Sequence, residues 1–283
     1  MELWYALVDL LPFSWAEPGQ MYFMKNALLA VLVISPLFGL LSTMVVQSRM
    51  SFFSDALGHS AFTGMAIGSI AGLFAEPLWC AVLFAIAFSL LFSFVRRRTS
   101  LASDTVIGVF SSTAVALGIF IATLDGGSFT RFNSLLIGDI LSVEPGKIGL
   151  LAVILLLTVL LWVLSFNGLM LSAVHPALAD SRGVRVFWQE ALFSAVIAVV
   201  VTIAMTWVGL MVINSLLVLP AAAGRNLARN MRQYHLLSVL GALVAGIAGL
   251  MTSYYIDASA GATITLYLAA WFAVTFLLRK GRQ

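Results

Sequence analysis

The chain is a succession of apolar runs, most of them long enough to cross a bilayer, separated by short polar or charged stretches. The runs lie at 25–46, 57–74, 78–95, 105–124, 147–166, 235–255 and 263–278, with a longer one at 190–224. About 20 apolar residues in a helix cross the ~30 Å hydrocarbon core, and backbone in lipid must satisfy its own hydrogen bonds. Such a pattern permits an all-helical bundle and little else. The 190–224 run is too long for one helix, and a split near Trp207-Val208-Gly209 gives two spans joined by a close turn. The expected fold is an all-α polytopic membrane protein with about eight or nine transmembrane helices in one domain. Composition points the same way: of 283 residues, 61% are hydrophobic and 10% charged, and mean hydropathy is +1.06. A soluble domain carries about 25% charge. The single cysteine, Cys80, excludes an intrachain disulfide and a four-cysteine zinc site within one chain.

Charge placement orients the bundle. With nine crossings and the N-terminus outside, one side receives twelve of the 15 cations: Arg49, Arg96, Arg97, Arg98, Arg182, Arg185, Arg225, Arg229, Arg232, Arg279, Lys280 and Arg282. The other side receives Lys25, Arg131 and Lys147. The first side is therefore expected to be cytoplasmic. Scattered in loops, these cations mark topology and not a nucleic-acid surface. Residues 1–20 mix Trp4, Tyr5 and Trp15 with Glu2, Asp9 and Glu17, a pattern expected of an interfacial segment and unlike the positive start of a cleaved signal. No internal repeat is evident, which weakens an inverted-repeat carrier. The phosphate loop, the nucleophile elbow and the H-E-x-x-H helix are all lacking, so no enzyme activity is expected and the chain cannot hydrolyse ATP itself.

Chemistry concentrates in the stretch from Arg49 to Gly64, where Asp55 and His59 stand four residues apart. On a helix they share one face. Ionisable groups are costly in a membrane and face a polar path or a partner, and a carboxylate with an imidazole is a ligand set for a first-row divalent metal. The plain alternatives are that Asp55 caps a helix starting at Ala56 and that His59 is a packed core histidine. The segment from His175 to Arg185 can form a short helix after Pro176, stopped at Gly183, as a connector or a docking element. Leu135–Leu141 is too short to span and reads as re-entrant or interfacial, with Asp139 capping its turn. Asp139, Asn214 and Asp257 are retained as groups that either line a path or serve the fold.

The stretch Arg49–Ala61 resembles the signature of the ABC-3 permeases, the membrane subunits of bacterial zinc and manganese ABC importers. The resemblance continues through Asp104–Gly108, Leu136–Leu141, Leu216–Ala223 and Ser253–Asp257, and so covers roughly residues 22–278. It implies the type II ABC importer permease fold in the bacterial cytoplasmic membrane. The permease would work as a homodimer with the path along the subunit interface. It also implies cytoplasmic ATPase subunits docked on residues 175–188 through Pro176, Leu178, Asp180, Arg182 and Gly183, and an extracytoplasmic metal-binding protein that delivers the ion. Asp55 and His59 would line the ion path. The chain departs from the family pattern at His175 and Ala177, on either side of the coupling-element proline.

The expected function is thus the permease subunit of an ATP-driven importer for Zn2+, with Mn2+ or Fe2+ as the alternative cargo. It would bind no permanent cofactor, and ATP would act through the partner. The rival from another class is a stand-alone proton-coupled metal carrier using Asp55, Asp139 and His59.

Overall fold

The computed structural model describes residues 2–10, 12–19, 21–71, 77–124 and 138–280. Among them every regular element is helical: α1 (Glu2–Val8), α2 (Tyr22–Gln47), α3 (Phe53–Ala71), α4 (Pro77–Arg98), α5 (Ser103–Leu124), α6 (Pro145–Val174), α7 (Pro176–Ser181), α8 (Val186–Val208), α9 (Leu210–Leu227), α10 (Met231–Ile256) and α11 (Ala260–Lys280). Single 3-10 turns occur at Ser14–Ala16 and Ile140–Ser142. Eight of these helices, α2, α4, α5, α6, α8, α9, α10 and α11, are long and apolar enough to cross a membrane. With 19 residues, α3 has the length to cross as well. Asp55, His59 and its serines and threonines leave it less apolar, and it packs among α4, α5, α8 and α9.

Helix ends follow local chemistry. The break inside the long 190–224 run falls at Gly209, whose φ of +89° lies where a side chain would be strained. That residue alone separates α8 from α9, at the place expected from Trp207-Val208-Gly209. Helix α6 runs to Val174, beyond the end expected at Phe166. Leu169 and Ser172 are buried, so packing carries the helix through the polar-looking Asn167-Gly168, and Pro176 then forces His175 out of helical geometry (φ −142°, ψ 83°). Helix α3 begins at Phe53, ahead of the apolar run at 57 and of a helix start at Ala56, which places Asp55 inside its first turn and not at a cap. The expected re-entrant piece lies outside the described residues up to 137; from Gly138 onward the chain makes the 3-10 turn at Ile140–Ser142.

Small residues let the central helices approach, as they do where lipid supplies no hydrophobic drive. Antiparallel α2 and α10 are joined by Ser42 Oγ and Ser238 Oγ at 2.8 Å, with Ser238 also donating to the Gly39 carbonyl at 2.8 Å. Helix α11 runs parallel to α9, joined by Ser215 Oγ and Thr265 Oγ1 at 2.9 Å. The alternation brings the ends of α2, α4, α6, α9 and α11 and the starts of α3, α5, α8 and α10 to one side. That side holds Arg49, Arg96–Arg98, Arg182, Arg185, Arg225, Arg229 and Arg232. The N-terminal segment folds over the opposite end of α2. Lys25, fully buried, donates to Asp9 Oδ1 at 2.5 Å and to the Glu17 carbonyl at 2.9 Å. Trp4 Nε1 donates to the Lys25 carbonyl and Tyr5 Oη to Asn26 Oδ1, both at 2.9 Å, and Trp15 is fully enclosed.

Candidate functional site

Helix α3 is built to be enclosed. Phe53, Ala56, Leu57, Ser60 and Ala61 are buried, and Phe53 stacks on Phe92 of α4 at 4.6 Å between ring centres. Within this enclosed stretch Asp55 and His59 stay open, with side-chain exposures of 44% and 27%. Their shared face is the i,i+4 geometry expected from the sequence. The His59 Nε2 to Asp55 Oδ2 distance is 3.5 Å. That is long for a direct hydrogen bond but close to the ~3.4 Å that two ligands adopt at tetrahedral angles about a metal with bonds near 2.1 Å.

A second helix completes the group. Asn214 of α9 directs Nδ2 to Asp55 Oδ1 at 3.4 Å, while its own Oδ1 is buried with no partner among the described residues. Gly58 gives this contact its room. A Cβ there would come within 2.5 Å of Leu210 Cδ2, so a side chain at that position would push Leu210, one turn ahead of Asn214, off its present seat against α3. The Asp55 carboxylate makes no hydrogen bond to a backbone N–H among the described residues. It sits in the first turn of α3, where the positive end of the helix dipole favours an anion. Among the described residues no three His, Cys, Asp or Glu side chains gather as a metal set. One carboxylate, one imidazole and a rotatable amide offer open, exchangeable coordination, unlike the closed four-ligand geometry of a structural site.

The other sequence candidates take separate places. Asp139 Oδ1 accepts from Leu141 N at 2.9 Å, capping the 3-10 turn, and the residue lines a cavity of about 400 Å3 with Met211, Ala258 and Gly261 at the end of the bundle away from the arginines. Asp257 closes α10 in a left-handed conformation (φ +58°) and is exposed. Pro176, Leu178 and Asp180 project from α7 with exposed side chains, while Ala179 anchors that helix at 0% exposure. Pro176 occupies its first turn and Gly183, at φ +75°, terminates the segment, with Arg182 exposed beside it. By sequence Arg96 and Arg97 only mark the side of the membrane on which the span 78–95 ends. In the structure Arg96 holds the turn before α3, and Arg97 lies 3.8 Å from Asp180. The basic triplet carries no sequence signal of these contacts beyond membrane topology.

Residues 20–279 match the model of the ABC 3 transport family. The chain belongs to the ABC 3 transport family. The manganese import system permease protein ScaB of Streptococcus parasanguinis is 30% identical over 260 residues, covering 92% of this chain and 91% of that protein. The high-affinity zinc uptake system membrane protein ZnuB of Haemophilus influenzae is 26% identical over 257 residues, covering 90% and 97%. Among solved structures, PsaBC from Streptococcus pneumoniae in complex with Fab superposes with a TM-score of 0.77 at 26% identity, covering 98% of this chain and 95% of that one. As an ABC 3 permease the chain is a multi-pass membrane protein, and the constellation of Asp55, His59 and Asn214 falls well inside the matched stretch. The segment before residue 20, docked through Lys25 and Asp9, lies ahead of it.

Proposed function

We propose that this ABC 3 permease carries a first-row divalent metal ion inward, with Asp55 and His59 as transient ligands in the path. The observation that carries the reading is their 3.5 Å separation, half-open on the enclosed first half of the helix and flanked by Asn214. An acidic side chain inside a membrane bundle is retained for a partner or a passing cation. Turning the Asn214 amide would present its unpartnered Oδ1 to an ion held by Asp55, making two oxygen donors and one nitrogen. Oxygen-rich sets suit Mn2+, and ScaB is named for manganese. The imidazole supports the second reading, Zn2+, as does the naming of ZnuB.

The cargo would pass between two copies of this chain, delivered by an extracytoplasmic metal-binding protein. Cytoplasmic ATPase subunits would dock at residues 175–188 and drive the alternation. Ligation by two side chains plus water lets the ion leave as readily as it enters. The residues that do this are the chain's own: Asp55 supplies charge, His59 a nitrogen, and the Gly58–Leu210 contact holds Asn214 alongside.

Uptake of manganese and zinc, measured by elemental analysis in cells that also hold the partner ATPase and binding protein, tests this directly. Asp55→Asn and His59→Ala, at matched expression, are expected to lower uptake of the cargo metal at least tenfold, the scale of one lost metal ligand or its support. Wild-type uptake in both variants overturns the path assignment. The proton-coupled rival requires metal uptake by the permease alone in vesicles under a proton gradient; none is expected.

A further inference from the structure

The turn that leads into the site helix is gripped from a neighbouring helix. After Gln47 the backbone passes through Arg49 at φ +55°, a left-handed conformation that a non-glycine residue keeps only where its surroundings hold it. Arg96, in the last turn of α4, holds both sides of that residue. Its Nη2 donates to the Ser48 carbonyl at 3.1 Å and its Nη1 to Met50 Sδ at 3.1 Å. One turn back along α4, fully buried Phe92 stacks on Phe53, the first residue of α3. The position of Asp55 is therefore set by the end of α4 as much as by α3 itself.

Arg97 points elsewhere. Successive helical residues project about 100° apart, and Arg97 Nη2 lies 3.8 Å from Asp180 Oδ2 on α7. Between the α2–α3 turn and α7 lies an open cavity of about 340 Å3, lined by Ser48, Met50, Arg96, Ser172, Pro176 and Glu190. The turn and the short helix face each other across space, and the arginine end of α4 bridges them.

We propose that Arg96 and Arg97 form the link that carries movement of α7 to the Asp55–His59 pair, with Arg96 as a positioning residue for that pair. The inference rests on the reading of α7 as the ATPase-docking element. Displacement of α7 acts on Asp180, which acts on Arg97. Arg96 belongs to the same rigid helical turn and shifts Ser48 and Met50 with it, and with them the start of α3. The fork of one guanidinium reaches two acceptors at once, which an ammonium cannot reproduce. The cavity leaves room for the turn to move. The Arg97–Asp180 pair is exposed on both sides, 37% and 58%, so it contributes little to stability and its removal perturbs transmission without unfolding the chain.

The test is the amount of metal moved per ATP hydrolysed, in vesicles holding the complete complex of permease, ATPase and binding protein. Arg96→Gln is expected to lower that ratio about tenfold, the scale of one charge-assisted hydrogen bond, while ATP hydrolysis persists. Arg96→Lys should recover part of the loss. Arg97→Gln is expected to lower the ratio roughly two- to threefold, as befits an exposed pair. A purely structural role for Arg96 would reduce transport and hydrolysis together and leave the ratio unchanged, which overturns the proposal. Should Arg96→Gln fail to assemble, Met50→Leu and Arg97→Gln decide it, and an unchanged ratio in both overturns it. Asp55→Asn runs alongside: wild-type transport there defeats the metal-path reading, whereas loss of transport there with unchanged ratios in the arginine variants defeats only the link.

Discussion

Helices α3 and α6 show opposite relations between sequence and burial. Helix α6 has 30 residues, is nearly all apolar, and exposes Leu156, Leu157, Leu160, Val163 and Leu164. Helix α3 carries the acid and the imidazole, yet most of its side chains are enclosed among four other helices. In water the apolar helix would be the core. In lipid the order inverts, because hydrocarbon solvates Leu and Val as well as a protein interior does, while a carboxylate must find protein or a polar path. What distinguishes the working helix is therefore its polarity.

Moving the acid onto the lipid-facing helix should have the largest effect. Leu160→Asp, on the open face of α6, is expected to cost about 3 kcal/mol of insertion free energy, by the transfer scale for a central Asp. Insertion yield and thermal stability in nanodiscs would read this out. A near-normal yield would mean that the α6 face meets something other than lipid.

Next in size is Gly58→Ala on α3. Leu210 must give way to a Cβ that would otherwise lie 2.5 Å from it. A cost of about 1–3 kcal/mol is expected, together with loss of the Asn214–Asp55 approach. Thermal unfolding and metal uptake should fall together. Uptake that survives a loss of stability would remove Asn214 from the site.

Smallest is Leu160→Ala, expected to change stability by under about 0.5 kcal/mol because no packed cavity is opened. A loss of 2 kcal/mol or more in the same melting assay would show that α6 is a packed helix after all.

Much of this architecture was legible along the chain because its causes are local. Apolar runs mark helices, Gly209 marks the break between α8 and α9, and Pro176 marks the start of α7. Asp55 and His59 meet because four residues make about one helical turn. Asn167-Gly168 looks like a boundary after Phe166, whereas Leu169 and Ser172 pack beyond it and keep α6 going. Burial against another helix is not a property of a local window. Arg96 posed the same difficulty: three consecutive arginines at the end of a span are what membrane topology alone requires, so their sequence carries no sign that one of them grips Ser48 and Met50.

Local pattern alone establishes that this chain spans a membrane as a helical bundle, which end of the bundle holds the cations, and that an acid and an imidazole share a helical face. Those properties follow from bilayer thickness, from charge and from the 3.6-residue period, none of which needs a neighbour. Only helix packing brings Asn214, 159 residues away from Asp55, to stand beside it. Packing likewise lets Gly58 make room for α9 and sets the end of α4 against both α7 and the turn before α3. Each of these depends on which helices pack together and at what register, and small residues in distant segments settle that only once the chain has folded.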